Sequence, residues 1–319
     1  MEYRRLGTSG MQVSALGMGT NVFGTDVDEA GADRIVGQFI DEGANFIDTA
    51  DTYPPYGRKG SSEELVGKAL KSGRREKIVL ATKFWGRMDD GPNDAGGSRH
   101  YVLRAVEASL RRLDTDHIDL YQMHRPDSNT PIDETLSALD GLVRAGKVRY
   151  IGCSGYAGWQ LVDALWTSRE QHLAPFVSVQ PEYNLLSRSI EKELIPACQK
   201  FGVGIIPYWP LAGGFLTGKY QRGQARPADS RGGKRPQMID RWESDQNWAA
   251  IEGLDAFATA QGHTLAELAL AWLLARPNVS TVISGVSRPE QVTANAKATE
   301  WKLTADDMKA IEAILNPPE

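Results

Sequence analysis

Residues 78–124 read IVLATKFWGRMDDGPNDAGGSRHYVLRAVEASLRRLDTDHIDLYQMH, and their pattern sets the fold. Ile78–Lys83 and Ile118–His124 are short, largely apolar runs of strand length. Between them, Ser98–Arg112 carries Val102, Val106, Ser109 and Leu110 at helical spacing, with Leu113 continuing the stripe. Ser98 supplies a side-chain oxygen where a helix needs an N-cap. Strand, helix, strand is a right-handed crossover joining two parallel strands.

The same alternation continues in both directions. Further strand candidates are Ser14–Gly17, Asn45–Thr49, Val148–Ser154, Phe176–Gln180, Gly204–Tyr208 and Val279–Ser284. Most are continuous apolar runs, as strands buried on both faces require. Helical stretches are Glu29–Glu42, Ser62–Lys71, Pro131–Ala145, Ser187–Lys200 and Thr264–Leu274. Eight βα units in a chain of 319 residues fit a closed (β/α)8 barrel. A doubly wound open sheet would carry GxGxxG after its first strand. The first strand here leads into Gly17-Met18-Gly19-Thr20-Asn21-Val22-Phe23-Gly24, which lacks that spacing. Residues 3–13 read as a hairpin turning at Gly7-Thr8-Ser9-Gly10, placed to close the barrel bottom. Residues 213–245 form a long Gly-, Arg- and Pro-rich loop, and loops of that length in a compact fold are usually functional or disordered. No linker divides the chain, so residues 1–319 are read as one α/β domain.

Lys plus Arg number 36 and Asp plus Glu 41, a net charge of −5. That argues against nucleic acid as the main partner, since phosphate backbones need clustered cations. The opening residues have no signal-peptide core, and the most apolar stretch, Leu265–Ala275, is too short to span a bilayer. Two distant cysteines, Cys153 and Cys198, suit a reducing compartment. A soluble, cytoplasmic protein is expected. The five histidines show no metal-ligand spacing, so no metal site is expected.

In such a barrel the chemistry sits at the carboxyl ends of the strands. Asp48 ends the second strand, with Asp51 and Tyr53 following. Lys83 ends the third and His124 the fourth. Singly, each has an ordinary role: Asp48 as a loop cap, Lys83 as a solvated charge, His124 as a hydrogen-bonded core histidine. Together they suit protonation of an alkoxide forming from an aldehyde or ketone. A phenol is a poor acid at neutral pH, and a nearby ammonium favours its phenolate. A carboxylate would hold that ammonium in place. An imidazole would orient the carbonyl. A hydride donor is required as well.

The chain resembles the aldo-keto reductase superfamily over essentially its whole length. The resemblance is carried by Tyr3–Gly10, Asn45–Tyr53, Ala81-Thr82-Lys83, Asp119–His124 and Tyr208–Gly214. It implies NADPH-dependent carbonyl reduction, with NADP+ as the oxidised cofactor. Tyr53 would be the general acid, Lys83 and Asp48 its tuning partners, and His124 the substrate-orienting residue. It puts Gly19, Thr20, Asn21 and Asp48 beside the cofactor. Ser154 and Gln180 would bind the nicotinamide amide, with Gly155 standing where relatives have Asn. Tyr208 would stack on the nicotinamide, followed by Trp209, Pro210, Leu211, Gly213, Thr217 and Lys219 along the pyrophosphate. Gly285, where many relatives have Lys, begins the far end. Ser287 and Arg288 would meet the 2′-phosphate, and Gln291 and Asn295 the adenine. Arg222, Arg226, Arg231, Lys234 and Arg235 read as a solvated charge run. Tyr56, Trp85, Met123, His124 and Trp209 are the substrate-pocket candidates for a small-molecule carbonyl or alcohol, and a sugar-type carbonyl is among the options.

Two other functions fit parts of the sequence. The opening and the 285–295 segment resemble the branch that includes potassium-channel β subunits, where the fold serves as an NADPH-binding regulatory module. Those subunits carry Asn at the position of His124, and this chain has no long segment before Tyr3. A (β/α)8 isomerase is the other reading. Oligomeric state is not legible in the sequence.

Overall fold

The computed structural model describes residues 1–316. The chain opens with a two-stranded antiparallel hairpin, β1 (Tyr3–Arg5) and β2 (Gln12–Ser14). The barrel follows as β3 (Leu16–Gly19), α1 (Glu29–Asp41), β4 (Phe46–Asp48), α2 (Ser61–Ala69), β5 (Val79–Phe84), α3 (Arg99–Leu113), β6 (Ile118–Met123) and α4 (Ile132–Arg144). Next come β7 (Val148–Ser154), α5 (Gly158–Glu170), β8 (Phe176–Gln180), α6 (Leu194–Phe201) and β9 (Gly204–Ile205). The long segment contains α7 (Arg231–Lys234) and α8 (Gln237–Asp240). It runs into α9 (Asp245–Ala260), α10 (Leu265–Leu274), β10 (Val282–Gly285), α11 (Pro289–Ala298) and α12 (Ala305–Leu315).

The eight parallel strands run in the order β10-β3-β4-β5-β6-β7-β8-β9. The ring closes where Ile205 bridges Val279, the Ser280 N–H donating to Ile205 O at 2.9 Å. The expected (β/α)8 barrel with its N-terminal hairpin is therefore present.

Several boundaries differ from the sequence reading. The first barrel strand begins at Leu16, because Ser14 is drawn into the hairpin and fixed by Asn45, whose side chain accepts from the Ser14 N–H at 2.7 Å. The ninth strand stops at Ile205, and pairing resumes only as a bridge between Tyr208 and Glu182. Pro207 between them has no N–H to donate. The stretch expected to be one helix over 187–200 divides into a 3₁₀ turn, Ser189–Glu191, and α6. Pro196 then falls in the first turn of α6, where it is tolerated.

Side chains inside the barrel form layers, as alternate residues of each strand point inward. The lower layer is apolar: Phe46, Ala81, Leu120, Ile206 and Ile283, with Leu6 and Val13 of the hairpin beneath it. Two residues further along three of these strands come Asp48, Lys83 and Gln122. The hairpin seals the opposite end. Arg4 donates to Leu274 O and Val279 O, and Ser280 Oγ donates to Arg5 O at 2.8 Å. At Gly7 (φ +58°) a Cβ would sit 2.5 Å from Val177 O, so only glycine lets the turn lie this close. Only the carboxyl end of the barrel is left for chemistry.

Candidate active site

Lys83 is the centre of the upper layer. Its side chain is fully buried, and Nζ donates to Asp48 Oδ2 at 2.5 Å and to Thr49 O at 2.8 Å. Tyr53 stands beside it, the ammonium 4.9 Å from the Tyr53 ring centroid. Burial alone would lower the Lys83 pKa; the Asp48 carboxylate and the Tyr53 oxygen reverse that and hold it above its ordinary value. The other Asp48 oxygen accepts from Gln122 Nε2 at 2.9 Å and Gln180 Nε2 at 3.0 Å. The buried carboxylate is thereby satisfied on both oxygens, the condition under which a buried ion pair is tolerated.

Gln122 was not among the candidates from sequence. It lies on the same strand face as Leu120 and His124, and a polar residue at an inward position of an otherwise apolar strand is the signal that would have found it.

His124 follows β6, and its ring meets that of Tyr53 edge-on, centroids 5.7 Å apart. Burial, reinforced by the Lys83 and Arg125 charges, pushes the imidazole pKa down to about 3. The ring is neutral at any ordinary pH. Tyr53 behaves differently from the sequence expectation. Lys83 does pull its pKa down, but desolvation of the half-buried residue is the larger effect and Asp48 adds to it. The phenol therefore holds its proton more tightly than a free tyrosine.

The remaining candidates occupy strand ends, the loops that follow them and the start of α11. Gly285, Gly19 and Asp48 are aligned across β10, β3 and β4. A Cβ on Gly285 would meet only Asn21 Oδ1 at 3.7 Å and an Arg231 guanidinium nitrogen at 3.8 Å. Thr20 is turned inward and bonds Ser62. Ser154 Oγ donates to Gln180 O at 2.8 Å, and Gly155 holds φ +68°. Tyr208 is half-buried. Trp209 (φ +56°) lies 4.3 Å from the Arg241 guanidinium, with its carbonyl accepting from Asn184 Nδ2. Pro210 and Gly213 are buried, and Leu211 O accepts from the Gly214 N–H at 2.7 Å. Thr217 Oγ1 donates to Gly214 O, and Lys219 is exposed. At the start of α11, Gln291 Oε1 accepts from the Ser287 N–H at 2.8 Å, while Arg288 is exposed at the N-cap. Asn295 donates to Ser284 Oγ.

Of the pocket candidates, Tyr56 is exposed and lies against Arg235; Trp85 is held at φ +119°. Met123 is placed elsewhere. It is buried, its Sδ accepts from Tyr156 Oη at 3.0 Å, and it belongs to the core outside the barrel ring. Adjacent strand residues point to opposite faces, so Met123 and His124 cannot both face the mouth.

The basic run in the long loop is not a solvated row. Arg226 pairs with Asp240 and Glu243, Arg222 with Asp245, and Lys234 and Arg235 with Asp26 on the far rim. Arg231 differs from all of these. Its guanidinium is mostly desolvated, which lowers its pKa, and among the described residues no carboxylate lies within ion-pair distance. It reaches over Gly285 and Asn21. A half-buried guanidinium outside any ion pair is favoured by an anion.

The aldo/keto reductase family model matches residues 15–316. The chain belongs to the aldo/keto reductase family. It is 40% identical to "Uncharacterized oxidoreductase YrpG" of Bacillus subtilis, covering 100% of this chain and 97% of that protein. It is 39% identical to "Probable voltage-gated potassium channel subunit beta" of Arabidopsis thaliana, over 94% of this chain and 92% of that one. With L-glyceraldehyde 3-phosphate reductase of Escherichia coli it shares 36% identity, over 93% and 87% of the two chains. Membership in this family and the oxidoreductases among its relatives support a carbonyl-reducing oxidoreductase. No helix among the described residues is long and apolar enough to cross a membrane.

Proposed function

We propose that the chain is an NADPH-dependent reductase of aldehydes and ketones, acting as one barrel unit, in which Tyr53 is the general acid. The observation that carries this reading is the fully buried Lys83 ammonium, held between the Asp48 carboxylate and Tyr53 at the open end of the barrel. Reduction leaves an alkoxide that needs a proton. Tyr53 keeps its proton at working pH because of burial. When it gives that proton up, Lys83 stabilises the phenolate left behind, in a site too dry to screen the charge. His124, neutral at that pH, can donate one N–H to the carbonyl oxygen and so aim it at Tyr53.

A bound NADPH would supply the hydride. The residues fit such a group. Arg231 is a half-buried cation with no carboxylate within ion-pair distance among the described residues, beside Gly285 and Asn21. The N-terminus of α11 adds the positive end of a helix dipole, and exposed Arg288 suits a 2′-phosphate. Ser154, Gln180 and Tyr208 would hold the nicotinamide end. Tyr56, Trp85 and Trp209 are left as the aromatic wall for a small carbonyl substrate. The retained imidazole of His124 supports turnover over a purely regulatory role. The buried free thiols Cys153 and Cys198 support a reducing, cytoplasmic location.

The test is NADPH oxidation over a panel of aldehydes, ketones and sugars. It should include L-glyceraldehyde 3-phosphate, named for the Escherichia coli relative. Tyr53→Phe should cut turnover by about 10²-fold or more, as expected for loss of a general acid, while NADPH binding persists. Turnover that survives in that variant overturns the assignment.

A further inference from the structure

Behind the tetrad lies a second set of ionisable groups that the reaction leaves idle. Asp51 stands two residues before Tyr53 and is fully buried, and its N–H donates to Lys83 O at 3.1 Å. Its Oδ1 has no hydrogen-bond partner. Its Oδ2 has only a 3.4 Å contact from Tyr101 Oη, whose closer acceptor is Gly86 O at 2.8 Å. One hydroxyl proton serves one acceptor well, so Asp51 is almost unsolvated.

Facing it from α2 is Glu63, also fully buried. Glu63 accepts from Thr82 Oγ1 at 2.6 Å and forms an ion pair with Arg112 of α3 at 2.6 Å. The other groups around Asp51 are Tyr101 of α3, Tyr121 of β6, and Lys83, Asp48 and Tyr53 of the tetrad, with Asp94 reaching Tyr101 from the loop before α3. Two buried carboxyls thus share one guanidinium, and Glu63 has taken it. Desolvation, then the Glu63 charge, pushes the Asp51 carboxyl up to about 8, more than Arg112 can offset.

We propose, on the reading of Tyr53 as the acid, that Asp51 is a positioning residue. As a neutral carboxylic acid it spares the Lys83–Tyr53 pair a second buried anion; on releasing its proton to solvent it tightens the hold of Tyr53 on its own proton and slows transfer to the substrate.

Two measurements test this. The first is the pH profile of kcat for wild type, Asp51→Asn and Glu63→Gln. The wild type should lose rate through an inflection near pH 8, about tenfold between pH 7 and pH 9 if only the neutral form turns over. Asp51→Asn should be flat over that interval. Glu63→Gln, which frees Arg112 for Asp51, should move the inflection to lower pH. The second is an infrared titration of the wild type, which needs no variant to fold. A protonated carboxylic-acid band present at pH 7 should disappear by pH 9. Survival of the inflection in Asp51→Asn overturns the positioning role alone, and so does absence of the band at pH 7. A titrating band in a protein without carbonyl turnover instead refutes the reading of Tyr53, and the positioning role falls with it.

Discussion

Lys83→Met removes one half of a pair that is almost wholly out of water: the Lys83 side chain is fully buried and Asp48 is 2% exposed. At their 2.5 Å separation the attraction is ~7 kcal/mol for an effective dielectric of ~20. Much of that offsets the dehydration of the two ions. Breaking a buried pair from one side typically costs about 3–5 kcal/mol. Asp48 retains its bonds from Gln122 and Gln180, which places the expected loss near the lower end, about 3 kcal/mol. Equilibrium urea unfolding without cofactor measures it. The control is Asp48→Asn combined with Lys83→Met, which leaves no orphaned charge and should recover most of the loss. Turnover should fall about 10²-fold or more in both variants, because Tyr53 has lost its ammonium. If Lys83→Met costs less than about 1 kcal/mol, or if the double variant is no more stable than the single one, the buried ion pair is not what holds this site together.

The other predictions address the cofactor and pH. Arg231→Ala should weaken both NADPH and NADH by about 10-fold or more, the scale of one charge-assisted hydrogen bond. Arg288→Ala should weaken NADPH more than NADH, so fluorescence titrations of the two variants with both nucleotides separate the roles. Losses in the opposite pattern would exchange the assignments. His124 gives an acid-side effect. Its folded pKa of about 3 lies below the 6.5 of the free side chain, so the unfolded chain binds the extra proton. Stability is therefore present above about pH 6.5 and lost as pH falls toward 3, by about 1.4 kcal/mol per unit at the steepest. Unfolding followed from pH 7 to 5 should show a shallower acid loss in His124→Asn, and an unchanged slope would refute the buried neutral imidazole.

The parts of this molecule that obey a local period were readable in advance. Val148–Ser154 and Phe176–Gln180 have the bounds their apolar runs predict, and Ser98 caps α3 through the Tyr101 N–H. The juxtaposition of Asp48, Tyr53, Lys83 and His124 was readable because each ends or follows a strand. Helix α5 was not, because its inward residues are Gly158, Leu161, Ala164 and Ser168 while Trp159 and Trp166 face solvent. That inverts the usual polarity of a covering helix. The unpaired state of Arg231 was hidden among neighbouring arginines of the same loop. They differ in whether a carboxylate, from the far side of the loop or from Asp26, folds back to reach them, which no local pattern records. The ionisation of Tyr53 and Asp51 was equally out of reach, because desolvation depends on how the whole fold excludes water.

The sealed end of the barrel bears on how the chain is made. Arg4 is tied to carbonyls 270 and 275 residues later in sequence, and Gly7 lies in a niche lined by Val177, Gly202 and Gly204. At a synthesis rate of about 5–20 residues per second, the hairpin is made roughly 15–50 s before the carbonyls that Arg4 holds. Until then Leu6 and Val13 have no floor to cover. Ring closure is consequently an event of the finished chain, and a nascent chain stalled before β9 carries six of the eight strands as an open sheet, with the β3 edge unpaired until β10 is made.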